Sequence, residues 1–301
     1  MQSIDFPTLL TIMYTLVDDW YQENAPRLLK GKVGAKPTFS DSELITLLLA
    51  QDFLPFPGET QFLGYIRANY LELFPKLVDQ SQFNRRARHL RLLVEALRRH
   101  WLDRLGVLRE TAFLLDTKPV PVVGYKRQKS HSEFPRSAAF GYCVARRLHY
   151  FGYKFIALTT FAGVPIVYEL VAANTDERAA AEAVLGAVRQ CDIFGDKCFI
   201  GVEWQAEVKA WTGNRVWTLK RRNQKEQHPK SFDPWLNSVR ERVEGAFNEI
   251  QNTGRNLERL LTKTVIGLTA RVIAKVTSHT LKLLLRRTFR IEVQTFQVAG
   301  S

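Results

Sequence analysis

Ile193-Phe194-Gly195-Asp196-Lys197-Cys198-Phe199-Ile200-Gly201 joins a short apolar run to a single carboxylate set between small residues. The run is too short for a helix and reads as a strand that delivers an acidic side chain to its own carboxyl end. Such positions in α/β folds commonly carry function. One Asp decides little by itself, so the reading turns on whether other carboxylates reach the same place.

Two do. Upstream, Thr111-Ala112-Phe113-Leu114-Leu115-Asp116 reads as a buried strand that ends in, or passes through, an acid. Downstream, a helix expected over residues 234–251 has Val239, Val243, Phe247 and Ile250 on its apolar side, with Glu244 at the border of that face and Arg240 one turn earlier. Between the two Asp positions, residues 153–161 and 164–172 are β-rich runs joined at Ala162-Gly163, a predicted antiparallel hairpin. Asn174-Thr175-Asp176 caps a helix expected over 177–190. A short helix at 205–211 and a fifth strand at 215–219 follow Asp196. The order of strand, two-stranded hairpin, helix, strand, helix, strand, helix suits an α/β fold with a mixed five-stranded sheet flanked by helices, the RNase H-like arrangement.

Before this region, residues 6–106 show helical periodicity and no good strand. Leu9, Ile12, Met13, Leu16 and Trp20 predict a helix over 7–22. Ser40-Asp41-Ser42-Glu43 is an S-x-x-E capping box ahead of an apolar run that Pro55, Pro57 and Gly58 should end. Further helices are expected over 60–73 and from about residue 81. The last of these carries Arg85, Arg86, Arg88, Arg91, Arg98, Arg99 and Arg104 against only Glu95 and Asp103. A guanidinium forks onto phosphate, so this face suits the DNA backbone. Residues 257–287 are again helical, studded with Lys263, Arg271, Lys275, Lys282, Arg286 and Arg287. The expected organisation is a helical DNA-binding region at 1–106, a catalytic domain at 107–255 and a C-terminal helical extension at 256–301.

Charge supports a polyanionic partner. Forty-three basic residues against thirty acidic ones give +13, and nucleic acid ranks ahead of membrane because no basic amphipathic surface helix stands apart. Lys220-Arg221-Arg222-Asn223-Gln224-Lys225 follows the fifth strand in a predicted loop and offers cations and amides to phosphate. No run of about 18 apolar residues predicts a transmembrane span, and the first residues lack the pattern of a signal peptide. A cytoplasmic protein is expected. Cys143, Cys191 and Cys198 form no CxxC pair, which points to reduced packing residues rather than a zinc site.

Gathered carboxylates repel one another and raise their own pKa values unless cations neutralise them. Hard divalent ions with oxygen ligands suit such a set, and Mg2+ also accepts water and phosphate oxygens. Two ions about 3.5–4 Å apart support cleavage or transfer of a phosphodiester. No Walker-type loop or HExxH spacing offers a competing chemistry.

Several stretches resemble bacterial insertion-sequence transposases of the DDE class. They are residues 195–201, Arg222-Asn223-Gln224-Lys225, and Arg240-Glu241-Arg242-Val243-Glu244 with Phe247 and Ile250 behind it. The family places an Arg four residues before its catalytic Glu. Gly141-Tyr142-Cys143 and Phe151-Gly152-Tyr153-Lys154 resemble the start of its second strand, Asn174-Thr175-Asp176 its turn after the third, and residues 37–51 its N-terminal helical region. The likeness extends over about 35–285, with departures at Cys198, Ile156 and Gln251, where the family often has Gly, a polar residue and Lys.

The resemblance implies that Asp116, Asp196 and Glu244 ligate two Mg2+ ions, with Mn2+ as a substitute, and that Arg240 supports them. It implies binding of element ends and target DNA through Arg85, Arg86, Arg88, Arg91, Lys220, Arg221, Arg222, Asn223 and Lys225. It also implies a homodimer on DNA and residence on the bacterial nucleoid. A structure-specific RNase H-like nuclease and a non-catalytic DNA-binding repressor derived from a transposase are the alternatives.

Overall fold

The computed structural model describes residues 2–29, 37–123, 134, 136–143, 147–220, 227–254, 256, 257 and 261–298, with side chains at all of these but 2, 123, 242 and 243. Arg221, Arg222, Asn223 and Lys225 lie outside the described residues. The chain divides into two units, Gly106–Glu249 and a discontinuous one of Met1–Leu105 with Ile250–Ser301. Residues 256–301, expected as a separate extension, thus group with the N-terminal helices.

The Gly106–Glu249 unit is built on a mixed sheet. Its strands are β2 (Ala112–Val123), β3 (Ala139–Cys143), β4 (Leu148–Thr159), β5 (Pro165–Ala172), β6 (Asp192–Gly195) and β7 (Arg215–Thr218). β2 is central, antiparallel to β4 on one side and parallel to β6 on the other, and β6 is parallel to β7. The far edge of β4 is shared end to end, with β3 on residues 148–152 and β5 on residues 153–159. Helices α5 (Glu177–Leu185), α6 (Val202–Thr212) and α7 (Phe232–Asn252) complete the RNase H-like arrangement.

The five expected strands are present in the expected order, and β3 is an additional edge strand. Its periodicity is hard to read because its aromatic positions, Phe140 and Tyr142, face outward while small residues face in. β2 runs through Asp116 to Val123 despite Pro119 and Pro121. β6 pairs with residues 112–115, so among the described residues the later half of β2 has one edge free of a ladder, where proline is tolerated. Asp176 caps α5 by accepting from the amides of Arg178 and Ala179, and the helix stops at Leu185, short of the expected 190. Gly213 ends α6 in the left-handed region, φ 74°, a conformation that suits a residue without Cβ.

In the discontinuous unit, β1 (Gln2–Ser3) pairs in parallel with β8 (Ile291–Glu292). The helices are α1 (Phe6–Leu28), α2 (Asp41–Ala50), α3 (Glu59–Asn69), α4 (Gln80–Arg104) and α8 (Val265–Leu284). α1 continues past the expected residue 22, with Pro26 inside it. The capping box of α2 forms in full. Glu43 N–H donates to Ser40 Oγ at 3.0 Å, and Ser40 N–H to Glu43 Oε2 at 2.6 Å. α2 ends at Ala50, before the prolines, in a 3-10 turn over Gln51–Phe53.

The interior of this unit holds charges that the sequence pattern assigns to its surface. Lys275, 1% exposed, reaches Asp52 Oδ1 at 3.3 Å and donates to the Thr253 carbonyl and, at 2.9 Å, to Thr253 Oγ1. One turn earlier on α8, Arg271 reaches Glu59 Oε1 at 3.3 Å, and Gln80 and Asn84 donate to the same carboxylate. In α4, Arg98 is buried on Glu95 at 2.6 Å and does not belong to a solvated arginine face. No helix among the described residues is long and apolar enough to cross a membrane.

Candidate active site

The parallel pairing of β2 with β6 ends with Leu115 opposite Gly195, and Asp116 and Asp196 are the next residue of each segment. Asp196 leaves β6 in extended conformation and caps the turn Lys197–Phe199, its Oδ1 accepting from Lys197 N–H at 2.6 Å. Phe199 folds back under the strand, and a Cβ built on Gly195 would stand 2.8 Å from Phe199 Cδ2. Gly195→Ala is expected to force that ring aside and to destabilise the unit by about 1–3 kcal/mol, the range for overpacking a filled site. Thermal unfolding reads the loss, and a melting temperature equal to that of the parent would contradict it.

α7 supplies the third acid and a linking cation. Arg240 lies 3.3 Å from Asp196 Oδ1 and 3.8 Å from Glu244 Oε1, one guanidinium spanning both carboxylates. Buried Leu236, Val239 and Phe247 seat the helix, and the Phe247 ring stands 6.1 Å from Phe155 of β4. Helical spacing then brings Arg240 and Glu244 to one flank of that apolar stripe.

Burial pushes the Asp116 carboxyl above the usual carboxylate range. Lys118, the Thr117 amide and Arg240 pull against this, and the negative charge of Glu244 adds to the rise. Lys118 Nζ is 3.5 Å from Asp116 Oδ2 and 5.8 Å from the centre of the Phe247 ring. The sequence reading missed this lysine. Its signal was the two-residue spacing from Asp116, which places both side chains on one face of a strand.

Among the described residues, no three His, Cys, Asp or Glu side chains are gathered tightly enough to hold a metal ion. The donor set is nonetheless of the kind that hard cations take. It is all carboxylate, with Asp116 and Asp196 each following a paired position of neighbouring strands and Arg240 shared between Asp196 and Glu244.

The residues assigned to DNA contact are distributed unevenly. In α4, Arg85 is exposed, Arg88 and Arg91 are partly exposed on the same side, and Arg86 turns away to pair with buried Asp41 at 2.7 Å. Lys220 is partly exposed just beyond β7.

The RNase H-like sheet thus carries Asp116 and Asp196 on neighbouring parallel segments, with the arginine-linked Glu244 on the helix that follows. The family described as Transposase DDE domain matches residues 108–281, more than half of the sequence, and the chain belongs to that family. The family generally uses divalent metal ions and acts on DNA. Among solved structures, the Mos1 transposase in a paired-end complex with the left transposon end is 15% identical. That similarity covers 80% of this chain and 88% of the other, with a TM-score of 0.23. No curated protein sequence matches significantly.

Proposed function

We propose that this transposase acts on the ends of a bacterial insertion sequence, cutting strands and joining them to target DNA with Asp116, Asp196 and Glu244 as its catalytic acids. The reading is supported by the succession of Asp116 and Asp196 directly after the paired positions Leu115 and Gly195, with Arg240 3.3 Å from Asp196 and 3.8 Å from Glu244. The three carboxylates would hold two Mg2+ ions, or Mn2+ in their place. When bound, such ions supply Lewis-acid activation of an attacking hydroxyl and stabilise the leaving oxygen.

The remaining work belongs to the chain. Arg240, one positive charge between two carboxylates, would offset part of the repulsion between Asp196 and Glu244. Lys118 holds the Asp116 carboxylate toward the same end of the sheet. Arg85, Arg88 and Arg91 would contact phosphates through the helical region, and Lys220, Arg221, Arg222, Asn223 and Lys225 through the loop after β7, while Arg86 stays on Asp41. A water hydroxyl first frees a 3′-hydroxyl, which then attacks target DNA. Because one phosphodiester is exchanged for another, the transfer requires no nucleotide hydrolysis. Two ends handled together call for a homodimer on DNA, at the nucleoid.

The test is an end-labelled duplex carrying the inverted repeats that flank the gene, incubated with purified protein and Mg2+. Strands ending in a 3′-hydroxyl and joined products are expected, both lost on adding EDTA and regained with Mg2+ or Mn2+. Cleavage without joining would mark a nuclease. A repressor would show no product at all, and its salt-sensitive DNA binding would persist unchanged with all three acids replaced by alanine.

A further inference from the structure

The face of the sheet that carries Asp116 continues beyond the acids. Asp116 pairs with Ala157, Lys118 with Phe155, Val120 with Tyr153 and Val123 with Phe151, so these β4 residues share its face. α7 covers the face at Phe155 through Phe247, and Phe134 covers it at Tyr153, with ring centres 6.0 Å apart. Farther along, β3 pairs Phe140 with Phe151 and Tyr142 with His149, in ring contacts of 5.2 Å and 4.6 Å. Phe140 is 48% exposed, Tyr142 is 49% exposed, and His149 is exposed as well.

A two-stranded hairpin thus presents a ladder of aromatic rings to solvent on the same face as the acids. From Ala157, opposite Asp116, to Phe151 is six residues, about 20 Å at the rise of a strand. That equals about six base steps of DNA at 3.4 Å each.

The charge of this segment narrows the occupant. From residue 134 to residue 168 the chain contains no Asp or Glu, while Arg136, Arg146, Arg147 and Lys154 all fall within it. Arg136 and Arg147 are exposed at either end of the β3–β4 stretch. Aromatic faces among cations, without acids, suit a polyanion that also offers flat rings. A blunt duplex keeps its base faces inside the stack, whereas an unpaired strand lays them bare. A symmetric contact between two copies of the hairpin would set Arg136 and Arg147 near their own counterparts, a juxtaposition of like charges.

We propose that the β3–β4 hairpin is a stacking platform for unpaired bases of a DNA strand, with Phe140, Tyr142 and His149 taking the bases and Arg136 and Arg147 the phosphates. This rests on the DNA-processing reading of the acid site and assigns that site a single-stranded segment of its substrate. The position on the acids' own face lets one strand run from the platform toward Asp116.

The experiment measures binding of the full chain to two fluorescent probes, a single-stranded DNA of about 16 nucleotides and a blunt duplex of the same sequence. Tyr142→Leu and Phe140→Leu, which keep bulk but remove the ring, are expected to weaken single-strand binding by about 5- to 150-fold each, the cost of about 1–3 kcal/mol per lost stack. Duplex affinity should stay unchanged, and Tyr142→Phe should bind both probes as the parent does. Equal losses on both probes, undiminished single-strand binding by the leucine variants, or a fall in the molecular mass of the free protein in solution would each overturn the proposal. Failure of the parent to bind the blunt duplex would instead strike at the underlying reading.

Discussion

Asp196→Asn is expected to lower end cleavage by about a thousandfold or more while leaving duplex binding intact. Asparagine is isosteric and keeps an oxygen able to accept from the Lys197 amide, so the turn over Lys197–Phe199 should survive. What disappears is one negative charge beside Asp116, and with it the partner of Arg240 at 3.3 Å. A charge-stabilising group in a water-poor site commonly contributes about two to three orders of magnitude to rate, and a cation ligand contributes binding as well. Electrophoresis of an end-labelled duplex gives the rate, and a salt titration of binding gives the control. Cleavage at the parent rate would remove Asp196 from the mechanism.

Lys275→Met should weaken the helical unit by about 3–5 kcal/mol, the usual cost of stranding one member of a buried ion pair. Asp52 is 4% exposed and would lose a partner at 3.3 Å, and the Thr253 carbonyl would lose its donor. The double variant Asp52→Asn with Lys275→Met should recover part of the loss, since no uncompensated carboxylate then stays buried. Hydrogen exchange in peptides from α2 and α8 isolates this unit from the sheet. Unchanged protection there in the single variant would show that the pair carries little.

The sheet was legible because its strands are buried runs between clear breaks, and because Asp116 and Asp196 lie where such runs end or turn polar. The capping box at Ser40 was legible for a similar reason, since two side chains at fixed spacing satisfy two amides. Other features needed three dimensions. Arg271 and Lys275 look like a solvated stripe on α8, and only the acids brought up by Gln51–Phe53 and α3 make them interior residues. Arg98 is read wrongly from charge alone because it lies among buried Val94, Leu97, Trp101 and Leu102 on α4. The role of β3 was hidden because an edge strand with outward rings has the reverse of the usual alternation. Lys118 was passed over because a cation two residues beyond an acid gains meaning only when both sit on one strand face.

The discontinuity of the helical unit bears on how the protein is made. Residues 2 and 3 are held by residues 291 and 292, and Asp52 and Glu59 by side chains of α8. During synthesis the first hundred residues therefore leave the ribosome without the helix that neutralises their buried acids. The sheet unit, by contrast, is contiguous, Gly106–Glu249, and precedes α8 in sequence. Domains generally fold as units as they emerge, which puts the sheet ahead of the helical region even though the helical region is translated first. Premature release near residue 255 would spare the acid site in sequence and leave the helical region without its closing helix.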